Sequence, residues 1–117
     1  MIRDLQRFYF TKGDTYIEQW FITDDDDVPY DLSIYDNIIM DIRYGISNES
    51  RLLYSLSLEN GAITINGDDN NIIIFRIEKE YTKDFATGIF FRDIKFIKGD
   101  DVKTLLKGKI EIRKNIS

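Results

Sequence analysis

The sequence predicts an all-β fold, from two observations of composition and one of punctuation. Its 117 residues include 20 isoleucines, 8 phenylalanines and 7 tyrosines but only 2 alanines. β-Branched and aromatic side chains favour strands, whereas alanine is the best helix former. Turn signals rich in Gly, Asn and Asp cut the chain into short apolar runs about 8–12 residues apart, a spacing that belongs to a β-sandwich or a barrel. The length suits a single domain spanning residues 1–117, since domains cluster near ~100–150 residues.

The elements follow in order. A first strand over residues 5–11 ends at Lys12-Gly13-Asp14, and a second covers 15–23. A polar loop, 24–29, carries Asp24-Asp25-Asp26-Asp27. Strand 37–44 ends at Gly45-Ile46-Ser47-Asn48, strand 51–58 at Asn60-Gly61, and the short strand 62–66 at Gly67-Asp68-Asp69-Asn70. Strands 71–78, 89–98 and 102–112 complete the set, the last two joined at Gly99-Asp100-Asp101. Glycine and asparagine tolerate positive φ, which such hairpin turns require. Only 78–87 reads as helix, one or two turns with Tyr81 and Phe85 four apart and Gly88 placed as a C-terminal cap.

Period-two alternation assigns the faces. Ile38, Met40 and Ile42 point inward, as do Ile73, Phe75 and Ile77, then Phe90, Ile94 and Phe96, then Leu106, Ile110 and Ile112. Gly108 falls on the inner face, where it leaves room for an aromatic ring. Tyr16, Trp20 and Ile22 inward would place Glu18 inside with no evident partner. Ile17, Phe21, Ile39, Ile72, Ile74 and Phe91 are left on the outer faces. Several apolar residues there exceed what one core needs, and they form a candidate interface, because soluble monomers rarely expose large contiguous apolar patches. Arg43 and Asp93, both outward on strands expected to be neighbours, form a candidate cross-strand ion pair.

The chemistry is bounded by what is missing. With no cysteine and no histidine, the chain has no thiol nucleophile, no disulfide framework, no thiolate or imidazole metal ligand and no hydrolase triad. No catalytic, metal or cofactor-binding residue is expected, and the chain reads as a non-enzyme. The Asp24–Asp27 run lacks the alternation and terminal Glu of a calcium loop and reads as a solvated turn. An excess of 21 acidic over 16 basic residues argues against a nucleic-acid partner. No apolar run approaches the ~18 residues of a membrane span, and Met1-Ile2-Arg3-Asp4 does not open a signal peptide. Tyr9, Tyr16, Trp20, Tyr30, Tyr35, Tyr44 and Tyr54 offer stacking faces for a carbohydrate-binding module, a reading by fold-level analogy.

Five short motifs occur in a recognisable order: Gly13-Asp14, Pro29-Tyr30-Asp31-Leu32, Ile42-Arg43, Gly88-Ile89-Phe90-Phe91-Arg92-Asp93-Ile94 and Lys103-Thr104-Leu105-Leu106-Lys107-Gly108. Together they resemble the small immunoglobulin-like domains of tailed-phage structural proteins, including the N-terminal domain of the baseplate upper protein. The resemblance spans nearly the whole chain. It implies an immunoglobulin-like antiparallel β-sandwich of about 7–9 strands, with one short helical turn between two late strands. It also implies a virion component, made in the host cytoplasm and present in many copies, whose partners are capsid or tail and baseplate proteins. Asp27 stands where that family often has Gly before a hydrophobic-Pro pair. The chain ends at Ser117 without the receptor-binding region that follows in baseplate proteins. An accessory role in capsid decoration is therefore expected, with a tail or baseplate adaptor as the alternative.

Overall fold

The structure, a computed structural model, describes residues 8–47 and 49–114, the side chains of 105–107 excepted. Eight strands run through them: β1 (Phe8–Thr11), β2 (Tyr16–Phe21), β3 (Asn37–Arg43), β4 (Leu52–Ser57), β5 (Ile63–Asn66), β6 (Ile72–Ile77), β7 (Gly88–Lys98) and β8 (Asp101–Arg113). A 3-10 turn occupies Leu32–Ile34, and one α-helical turn, α1 (Lys79–Thr82), links β6 to β7. The strands divide into a five-stranded sheet ordered β1-β8-β7-β3-β4 and a three-stranded sheet ordered β2-β6-β5. Every pairing is antiparallel except β1 with β8. Two antiparallel sheets with this connectivity make an immunoglobulin-like β-sandwich, in which β2 and β7 hold the places of strands B and F.

The core forms where the inner faces meet, and the alternation read from sequence places most of it. Ile38, Met40, Ile42, Ile73, Phe75, Ile77, Phe90, Ile94, Phe96, Ile110 and Ile112 are all buried. Tyr16, Ile22, Leu32, Leu56 and Ile63 join them. Trp20 packs edge-on against Phe75, with ring centroids 4.8 Å apart. The expected start of the first strand at residue 5 and the side chain of Leu106 lie outside the described residues.

The helix is shorter than the sequence suggests. Thr82 is fully buried and donates its hydroxyl to the Asp14 carbonyl at 2.6 Å, which pins the turn to the loop between β1 and β2. The chain then bends inward and Phe85 enters the core against Tyr54 (5.5 Å) and Phe10 (6.4 Å). Tyr81 stays outside, so Tyr81 and Phe85 do not share one helical face. Gly88 is not a helix cap; it opens β7 at φ 132°, a conformation that favours glycine.

The acidic loop is ordered by its own carboxylate. Asp24 Oδ1 accepts the N–H groups of Asp26 (2.8 Å) and Val28 (3.0 Å). Asp27 adopts φ 61°, the left-handed region that glycine enters freely and Asp tolerates. A glycine would be unstrained at this position.

Candidate interaction surfaces and an internal ion pair

The outer face of the three-stranded sheet carries four of the six candidate interface residues. The register sets Phe21 beside Ile72, Gln19 beside Ile74 and Ile17 beside Arg76. Thr64 and Asn66 of β5 flank Ile74 and Ile72. Ile17 is 51% exposed and Phe21 63%, while Ile72 and Ile74 are half-buried between their neighbours. These four side chains make one cross-strand apolar cluster, rimmed by the exposed Arg76–Glu78 pair (2.6 Å).

Ile39 and Phe91 lie elsewhere, on the outer face of the five-stranded sheet. Both are half-buried. Ile39 stands between Lys95 and Ser57. Phe91 lines a cleft of about 230 Å³ together with Arg43, Ile46, Asp93 and Lys109. The Lys109 ammonium sits 6.0 Å from the Phe91 ring centroid, a cation–π distance. The six residues are therefore two groups on opposite sides of the sandwich.

The expected Arg43–Asp93 ion pair does not form. β3 and β7 are neighbours, but their register sets Arg43 against Phe91 and Asp93 against Asp41. Arg43 pairs along its own strand with Asp41 at 3.1 Å and donates to the Ser50 carbonyl at 3.0 Å. Asp41 also accepts from Ser55 (2.7 Å) and lies 3.7 Å from the Lys95 ammonium. Asp41 is thus buried by its partners, whereas Asp93 Oδ1 is buried with no hydrogen bond.

Glu18, on the inner face of β2, has a partner in Arg92, which lies between the buried Phe90 and Ile94 on β7. The Arg92 guanidinium meets Glu18 at 2.5 Å and again at 3.3 Å. Tyr16 donates its hydroxyl to Glu18 Oε1 and Trp20 donates its indole N–H to Oε2 (3.0 Å). The guanidinium lies 5.6 Å from the Phe8 ring centroid and 5.8 Å from that of Trp20. Gly108 faces Arg92 in the β7–β8 register. The pair joins the two sheets between strands B and F, where antibody domains carry their disulfide.

Burial, and then the Glu18 charge, raise the Tyr16 pKa well above its ordinary 10.0. Burial and the hydrogen bond with Tyr30 push Tyr35 up to about 12. In the unfolded chain both phenols ionise near pH 10; in the folded chain both stay protonated above it. The folded state therefore binds more protons, and stability falls as pH rises past 10 towards the folded values. Urea unfolding between pH 8 and 11 is expected to show this decline, with a shallower alkaline limb in Tyr16→Phe.

The aromatic side chains bear on the carbohydrate reading, which needs exposed rings lying parallel. Tyr30 and Tyr35 are stacked with an interplanar angle of 22°, but both are half-buried and their hydroxyls bond to each other at 3.0 Å. Tyr9 is covered by the Arg113 guanidinium at 3.5 Å. Among the described residues no group of three or more acidic side chains is placed to hold a metal ion, and no helix is long and apolar enough to cross a membrane.

No family model matches the chain, and no curated protein matches it. Among solved structures it is similar to murine CRIg, at 10% identity and a TM-score of 0.42 over 94% of this chain and 92% of that one. It is similar to an Ig1 domain of the ZIG-8–RIG-5 heterodimer, at 10% identity and a TM-score of 0.38 over 92% of this chain and 81% of that one. A third likeness is to a structure of the cell-adhesive VGSC beta subunits, at 14% identity and a TM-score of 0.34 over 97% and 93%. At these identities the likeness concerns the fold alone.

Proposed function

We propose that this chain is a non-enzymatic structural protein of a phage particle, docked on the capsid through the outer face of its three-stranded sheet. The observation that carries the docking is the cluster of Ile17, Phe21, Ile72 and Ile74, which the fold does not use for its core. Contiguous exposed apolar surface on a small domain marks a contact with another macromolecule. The motif order shared with tailed-phage structural domains supports a capsid protein as that contact. Sedimentation of the purified chain with assembled capsids and, separately, with tail subunits tests the proposal. Co-sedimentation with capsids, lost in Phe21→Glu/Ile74→Lys while the fold persists, is the expected result. Binding to tails alone would move the chain to the adaptor role. A chain that binds neither, and is missing from particles by mass spectrometry, would overturn the proposal.

A further inference from the structure

We propose that two copies of this chain pair through the free edge of β2, antiparallel and centred on Gln19, joining their three-stranded sheets into one six-stranded sheet. The other edges are short or blocked. β1 and β5 have only four residues each. On β4 the Asn60 side chain takes the Ser57 N–H and the Ser55 carbonyl, both at 3.1 Å, so a partner strand finds them occupied. β2 runs for six residues with no Lys, Arg or Pro, and its one charged side chain, Glu18, points inward and is neutralised by Arg92. Among the described residues no strand pairs with its outer side.

The parity of β2 fits a copy of itself. Ile22 donates its N–H to the Asn71 carbonyl on the β6 side at 2.8 Å. Alternation then turns the main-chain groups of Ile17, Gln19 and Phe21 towards the free edge. Their side chains share the outer face of the sheet. A two-fold axis at Gln19 sets Ile17 against the partner's Phe21 and Phe21 against the partner's Ile17. Both are the aromatic–β-branched pairs that stabilise antiparallel ladders. The two Gln19 amides meet at the axis, where each donates and accepts. Registers shifted to either side would set Ile17 or Phe21 against Gln19 and lose the match. The geometry extends the apolar cluster across both copies. Pairing is read on the purified chain alone, so its failure would leave the capsid proposal standing.

The chain contains no cysteine, which allows a direct test. Facing Cα atoms in a hydrogen-bonded antiparallel pair lie about 5.5 Å apart, within disulfide reach. Gln19→Cys under mild oxidation is expected to form a covalent dimer, while Thr64→Cys, exposed on β5, stays monomeric at the same concentration. Sedimentation of the unmodified chain is expected to show a concentration-dependent dimer. Gln19→Lys, which brings two like charges together, should weaken it roughly fivefold or more with the circular dichroism spectrum unchanged. Equal cross-linking of the two cysteine variants would overturn the proposal. So would a monomer at every concentration.

Discussion

Arg92→Ala is expected to destabilise the domain by about 3–5 kcal/mol, because it leaves Glu18 buried without its countercharge. Arg92 is 3% exposed and Glu18 is held inside by Tyr16 and Trp20, so water cannot readily replace the lost guanidinium. Glu18→Leu alone is expected to be destabilising as well, by removing the carboxylate that the Arg92 guanidinium meets. The double variant Glu18→Leu/Arg92→Met should recover most of the loss, since well-packed apolar replacements of a buried pair are often neutral or stabilising. Denaturant unfolding of the four proteins closes this double-mutant cycle. A double variant as unstable as the sum of the two singles would show that the residues act separately.

Phe75→Ala should cost about 3–5 kcal/mol, through lost burial and the cavity left behind. Phe75 is fully buried under Trp20, the chain's single tryptophan, so fluorescence follows this region directly. On the opposite face of the same sheet, Phe21→Ser should change stability by no more than about 0.5 kcal/mol, as exposed substitutions usually do. The contrast separates the aromatic residue that holds the sandwich from the one offered to a partner. Thermal and urea unfolding of both variants measure it. A large loss for Phe21→Ser would return the outer cluster to a structural role.

Alternation along single strands was legible in the sequence because a pleated strand presents a period of two regardless of its neighbours. It placed Ile38, Met40 and Ile42 inside and Ile17 and Phe21 outside, as the structure has them. Relations between strands were less legible. The pattern gives each strand's faces but not its stagger, so Arg43 and Asp93 looked like partners although the register sets Arg43 against Phe91. The six outward apolar residues read as one set, yet β3 and β7 carry Ile39 and Phe91 on the other sheet. The Glu18–Arg92 pair was half legible. Alternation put Glu18 inside, but that Arg92 meets it there depends on how the two sheets stack. The short α1 followed from Thr82 anchoring to the β1–β2 turn, a contact 68 residues distant in sequence that no local signal announces.

The link between β2 and β7 also sets the conditions under which this sandwich can mature. A disulfide in that place must wait for an oxidant and is lost in a reducing compartment. No thiol chemistry makes or breaks the Glu18–Arg92 contact. The domain therefore needs no oxidase or disulfide isomerase to fold, and reductant leaves it intact.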